Sequence, residues 1–255
     1  MGDSILTTVP VVIPAHGHGS RMRPVTAGTP KTLTPVSGQP ILGRLLAAVR
    51  QAGRPAVVYA QPPGQLIEAY LATLPGPPVT VRYRHPEGYL TDMAAIFARE
   101  GGELTVLDAD MVVPHADLCA FLAAAHDCDA DLLAGQSAFL PSRDPRSIRL
   151  IPEQDGGFRI GGGVDSNLPR TVGAYHWRPR AAAAVRAFLS DGPRTFHELI
   201  DWLSAGRGRI RVATFAFSAA VNVNTPAEHV VAVAEAARWD DRPPAATASS
   251  YLGKQ

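Results

Sequence analysis

The residues best suited to chemistry gather in one stretch, Val11 to Leu42, which reads VVIPAHGHGSRMRPVTAGTPKTLTPVSGQPIL. An apolar segment runs into a loop with glycines at Gly17 and Gly19, followed by Ser20 and a basic segment from Arg21 to Arg23. Glycine lacks the Cβ that holds backbone N–H groups away from an anion, so a loop of this kind suits phosphate oxygens. Lys31 follows, between Pro30 and Pro35. It and Lys254 are the only lysines; every other Lys/Arg position is arginine. An ammonium on a flexible stem enters a phosphate site as a point charge, whereas a guanidinium is a broad planar fork. The stretch reads as a grip for the triphosphate of a nucleotide.

Two familiar phosphate loops are excluded. A Walker loop needs Gly-Lys followed by Ser or Thr, and Gly19 is followed by Ser20-Arg21. A dinucleotide fingerprint needs a third glycine where Met22 stands. Further along, the apolar run Leu104 to Leu107 ends on Asp108-Ala109-Asp110. Carboxylates at a strand end can hold a hard cation, although by composition alone they read first as turn or cap residues.

The remaining pattern, H-G-H-G-S-R-M-R-P followed by P-K-T-L-T-P-V, resembles the signature of the nucleotidyltransferases with a GT-A-like fold. That group covers sugar-1-phosphate nucleotidylyltransferases, choline-phosphate cytidylyltransferase-like enzymes and molybdenum-cofactor guanylyltransferases. Their loop has the form G-x-G-(Ser/Thr)-R, then P-K-x-L-x-P-V. Here Gly17, Gly19, Ser20 and Arg21 supply the first part, and Pro30, Lys31, Leu33, Pro35 and Val36 the second. Leu107 to Asp110, Val172 to Tyr175 and Val221 to Pro226 follow in the family's order, so the resemblance spans residues 9 to 238.

The resemblance implies a division of labour. Ala15, His16, Gly17, Gly19 and Ser20 would hold the nucleotide, with Glu87 and Gly88 in a loop at the base. Arg21 would neutralise the departing pyrophosphate, and Lys31 the charge at the α-phosphate. Asp110 and Asn222 would hold Mg²⁺, with Asn222 standing where many relatives carry aspartate and Asn224 reading as a turn residue. Asp108, Arg170 and Tyr175 would face the acceptor, with Asp165 beside them. Sugar nucleotidylyltransferases commonly place a second lysine on the acceptor phosphate; Arg149, Arg159 or Arg170 would substitute. His16 stands where relatives keep glycine or alanine.

The implied reaction is attack by a phosphate oxygen of a small acceptor, first of all a sugar 1-phosphate, on the α-phosphorus of a nucleoside triphosphate. The products would be an NDP-sugar and pyrophosphate. Two readings stay open beside it: CTP-dependent transfer to a phospho-alcohol or phosphonate, and a degenerate nucleotide-binding protein without turnover.

The elements that must position these residues alternate. Strands are expected at 9–13, 56–60, 79–83, 104–107, 130–139, 170–177 and 209–217, with a hairpin at 148–160. Helices are expected from Pro40 to a stop at Gly53, at 65–74, from a Thr91 or Asp92 cap to Arg99, and at 114–126 and 180–189. Capping boxes at Thr195/Glu198 and Thr225/Glu228 open two more. The fold class is α/β, a three-layer α/β/α Rossmann-like (GT-A-like) arrangement around a mixed, mainly parallel sheet. One domain over 1–240 with a flexible tail over 241–255 is expected.

At 255 residues the chain can bury a substantial core, and 46% hydrophobic with 18% charged residues argues against wholesale disorder. A net charge of +1 without a basic block argues against nucleic acid as a bulk partner. Two cysteines are too few for a disulfide framework. With no apolar run of spanning length and no signal pattern, no membrane partner and a cytoplasmic location are expected. Oligomeric state is left open.

Overall fold

The computed structural model describes residues 9–139 except 18, then 149–152, 158–161, and 169–240 except 191, 193 and 207. The expected turn at 153–157, Gly162 and Gly163, Asp165 and the tail at 241–255 lie outside the described residues, as do the side chains of Arg149 and Arg159.

The first strand, β1 (Val11–Ala15), is apolar on both faces, the pattern of a strand covered by helices on either side. Val11 and Ile13 enter one core and Val12 the other, all fully buried. After Lys31, a short ribbon β2 (Pro35–Val36) and β3 (Gln39–Pro40) leads into α1 (Ile41–Gln51). Ile41, Leu42, Leu45, Leu46 and Val49 form its buried face, as their spacing predicts. The chain continues through β4 (Ala56–Ala60), α2 (Gln65–Ala72), β5 (Thr80–Tyr83), α3 (Tyr89–Glu100) and β6 (Leu104–Leu107). Next come β7 (Met111–Val112), α4 (His115–Asp127), β8 (Leu132–Ser137), a ribbon of β9 (Arg149–Pro152) with β10 (Phe158–Gly161), and β11 (Arg170–Trp177). The last elements are α5 (Pro179–Leu189), α6 (Phe196–Ser204), β12 (Val212–Phe217), β13 (Val221–Asn222) and α7 (Pro226–Asp240).

Seven strands form the main sheet in the order β12-β8-β11-β6-β1-β4-β5. β11 runs antiparallel to both neighbours, and the remaining pairs are parallel, which is the mixed, mainly parallel sheet expected. Residues from α1, α2, α4 and α7 fill the core on one face, and residues from α3, α5 and α6 the core on the other. The order steps outward from β1 through β4 to β5, then returns to the far side of β1 with β6. The carboxyl ends of strands at such a reversal are where open α/β sheets place ligands.

Several expectations shift. β1 begins at Val11 rather than Val9, because its register with β4 pairs Val11 with Ala56 and Ala15 with Ala60. Helix α3 is not capped by Thr91 or Asp92; it begins at Tyr89 after Gly88, with no side-chain cap. Asp92 lies inside the first turn, buried, and turns to groups from other elements. The Thr195/Glu198 capping box forms as expected. At Thr225 its counterpart is displaced: Thr225 Oγ1 accepts from Glu228 N at 3.2 Å, and the Glu228 carboxylate accepts from Asn224 N at 2.8 Å. Among the described residues, no helix is long and apolar enough to cross a membrane.

Candidate active site

A cavity of about 290 Å³ opens beside the carboxyl ends of β1 and β6. Its walls are Pro14 to Gly17, Lys31 with Thr32, Asp108 to Asp110, and the entry to α3 at Pro86, Gly88, Tyr89 and Asp92.

The Lys31 side is built locally. Pro30 precedes a short 3-10 turn over Lys31–Leu33, closed by bonds from Leu33 N to Pro30 O (2.9 Å) and Thr34 N to Lys31 O (3.0 Å). Gly19 has φ 60°, and a Cβ there would lie 3.1 Å from Lys31 Cβ. Glycine thus permits both the left-handed turn and the close passage of the lysine stem. Helix α7 is tied to the same region: His229 Nε2 donates to Pro35 O (2.8 Å), and Ser37 Oγ donates to Val233 O (3.1 Å).

Four charged or polar side chains meet there. Lys31 Nζ donates to Asp110 Oδ2 at 2.7 Å and to Asn224 Oδ1 at 3.1 Å, and Arg21 Nη2 donates to the same Asn224 oxygen at 3.1 Å. The small ribbon of β7 with β13 sets this up, since Asn222 pairs with Met111 and Val223 N donates to Asp110 O at 2.8 Å. In extended chain, alternate side chains share a side. Val221 and Val223 are fully buried in the core, so Asn222 and Asn224 lie on the opposite side. Asn222 Oδ1 is buried without a hydrogen-bond partner, and neither asparagine lines the cavity. Asn224, read from sequence as a turn residue, is the asparagine that touches Lys31 and Arg21.

Asp110 and Asn224 present oxygens that already converge on one cation, the Lys31 ammonium. A hard cation such as Mg²⁺ takes one or two protein carboxylates and completes its shell with amide, water and phosphate oxygens. The donor chemistry therefore fits.

Asp108 lies near enough to Lys31 and Asp110 to feel both charges. Burial, reinforced by the Asp110 carboxylate, pushes its carboxyl up to about 8, against the opposing influence of Tyr89 and Lys31. Tyr89 OH donates to Asp108 Oδ1 at 3.3 Å, and Asp108 N donates to Gly173 O at 2.7 Å. Tyr89 packs edge-on against Phe196 at 5.5 Å, and Phe196 against Tyr175 at 5.7 Å. Tyr175 itself is 4% exposed. Burial raises its hydroxyl above the usual range.

Of the residues expected to bind nucleotide, Ala15, His16, Gly17 and Gly88 line the cavity; Gly19, Ser20 and Glu87 lie outside its walls. Lys31, Asp108 and Asp110 line it, and Arg21 joins them through Asn224. Arg170 and Tyr175 do not line it; Tyr175 is part of the core behind Phe196. Sequence reasoning missed the contacts of Asn224 and Asp92. The i, i+2 spacing of the two asparagines was the available signal for the first. None marked Asp92, whose partners lie on distant segments.

Comparison with solved structures shows the fold. An inositol-1-phosphate CTP transferase from T. maritima superposes with a TM-score of 0.69 at 16% identity, covering 87% of this chain and 91% of that one. A putative glucose-1-phosphate thymidylyltransferase from Bacillus anthracis gives 0.71 at 15% identity, covering 90% and 95%. A UDP-glucose pyrophosphorylase from Acinetobacter baumanii gives 0.71 at 16% identity, covering 89% and 93%. Residues 11–207 match the model of the MobA-like NTP transferase domain. The match takes in β1, the glycine loop, Lys31 and Asp110, and the chain belongs to the MobA-like NTP transferase family.

Proposed function

We propose that the protein transfers a nucleoside monophosphate from an NTP to a sugar 1-phosphate, releasing pyrophosphate and forming an NDP-sugar. The observation that carries this reading is the convergence of Lys31, Arg21, Asp110 and Asn224, of which Lys31 and Asp110 line the cavity. Family membership and the activities named for two structural neighbours, a putative glucose-1-phosphate thymidylyltransferase and a UDP-glucose pyrophosphorylase, agree with it.

An acceptor phosphate oxygen forms a bond to the α-phosphorus, and the bond to the bridging oxygen of the β-phosphate breaks. Little covalent chemistry falls to the protein, so catalysis is positioning and charge stabilisation. Backbone N–H groups at Gly17, Gly19 and Ser20 would cradle the triphosphate. Lys31, held between Asp110 and Asn224, would follow the charge that develops at the α-phosphate. Arg21 would stay with the pyrophosphate. Mg²⁺ held by Asp110 and one of the asparagines would supply Lewis-acid neutralisation of phosphate oxygens.

A second reading is favoured by one observation. Beyond Lys31 and Lys254 the chain has no lysine for an acceptor phosphate, which suits CTP-dependent transfer to a phospho-alcohol or phosphonate. A pyrophosphate-release assay separates the two, run with five triphosphates against sugar 1-phosphates, phospho-alcohols and phosphonates. Release with a sugar 1-phosphate supports the first reading. Release with CTP and a phospho-alcohol or phosphonate alone supports the second, and nucleotide binding without release under any pairing contradicts both.

A further inference from the structure

Three segments of chain converge on one buried carboxylate at the cavity wall. Asp92 is 4% exposed, and it accepts from His16 Nε2 at 3.0 Å, Arg84 Nε at 2.6 Å and Glu87 N at 3.3 Å. His16 follows β1, Arg84 follows β5, and Asp92 sits in the first turn of α3. Because Nε2 of His16 faces a carboxylate oxygen, it carries the proton. In the neutral ring the lone pair then belongs to Nδ1.

That atom is unsatisfied. His16 lines the cavity and is 5% exposed, and its Nδ1 is buried with no hydrogen-bond partner. An acceptor buried without a partner is costly, and native folds keep one where a ligand or water completes it. Arg21 and Lys31 gather at Asp110 and Asn224, so the triphosphate belongs there. The base then falls to the wall formed by His16, Pro86 and Gly88.

We propose that His16 is a specificity-determining residue, whose Nδ1 accepts a hydrogen bond from an N–H on the nucleobase edge. Asp92 and Arg84 are positioning residues that fix its tautomer. The proposal rests on the nucleotidyltransferase reading above. A site built to pair with a base N–H rejects a nucleotide lacking it, because a buried group is then left unpaired. A ring that served only to hold the fold would instead affect every nucleotide alike.

The test is calorimetric. The intact protein is titrated with ATP, GTP, CTP, UTP and dTTP in the presence of Mg²⁺. The tightest binder is then compared with an analogue whose base N–H is removed: purine riboside triphosphate for ATP, pyrimidin-2-one riboside triphosphate for CTP, or the ring-N-methylated form for the others. The analogue is expected to bind the wild-type protein about tenfold more weakly or worse. In His16→Ala the parent and analogue should bind equally within about twofold, as expected when two changes remove one shared interaction. Asp92→Asn, which frees the ring to take its other tautomer, should shrink the same ratio, and it carries the comparison if His16→Ala fails to fold. A ratio that persists in these variants, or a parallel loss of affinity for all five triphosphates, overturns the proposal. Binding without pyrophosphate release would remove the function proposed above while the affinity ratio still decides the role of His16. Failure of every triphosphate to bind would remove both.

Discussion

The Lys31 ammonium lies 2.7 Å from the Asp110 carboxylate, across 79 residues of chain. Each group holds the other in place, with side-chain exposures of 15% and 22%. Removing Asp110 takes away both a partner of Lys31 and the carboxylate suited to a metal. Asp110→Ala is expected to lower turnover by about a thousandfold or more, with an unchanged circular-dichroism spectrum. Steady-state pyrophosphate release at saturating Mg²⁺ checks it.

Asn224 Oδ1 accepts from both Arg21 and Lys31, whereas Asn222 Oδ1 has no hydrogen-bond partner. Asn224→Ala should therefore loosen the cation cluster and raise the Mg²⁺ concentration for half-maximal rate by about tenfold or more. A Mg²⁺ titration of the variant reads this directly. If Asn222→Ala shifts the titration and Asn224→Ala does not, the metal oxygen belongs to Asn222.

Gly173 has φ 84°, and a Cβ there would lie 2.7 Å from Asp108 Oδ2 and 2.8 Å from Asp108 Cβ. Gly173→Ala combines a strained backbone with a clash against a side chain that lines the cavity. A loss of roughly 2 kcal/mol or more in urea unfolding is expected, with reduced turnover in the fraction that remains folded.

His176 gives stability a pH dependence away from the site. It is 2% exposed and bridges two strands, with Nδ1 3.1 Å from Thr105 Oγ1. Burial, and then the positive charge of Arg54, Arg178 and His126, lowers it from 6.5 to about 4. The unfolded chain takes up this proton near pH 6.5 and the folded chain only near 4, so the contribution is complete above 6.5 and is lost as pH falls through about 4. The linkage is worth about 3 kcal/mol at most. Urea unfolding of wild type should weaken from pH 6.5 to 4, and His176→Gln should flatten that slope.

How much was legible follows from the distance over which each feature is decided. The strand β1 and the helix α1 are written in consecutive residues, as an apolar run and as helical spacing, and both form, β1 displaced by two residues. The two-residue strands β7 and β13 are too short to show any period, yet they bring Asn224 to Asp110. Asn222 and Asn224 are indistinguishable by pattern, since both lie on one side of an extended segment. Asn224 differs only through contacts with Lys31 and Arg21, 193 and 203 residues away. Asp92 looks like a helix cap in sequence because local spacing cannot show that His16, 76 residues earlier, will claim its carboxylate.

The central claim is that Lys31 works at the phosphorus under attack. The most direct test is single-turnover transfer from α-labelled NTP with Lys31→Ala against wild type, with circular dichroism confirming that both are folded. The account predicts a fall in the rate of nucleotidyl transfer of about a hundredfold or more. A Lys31→Ala protein that transfers the nucleotide at near the wild-type rate would contradict it.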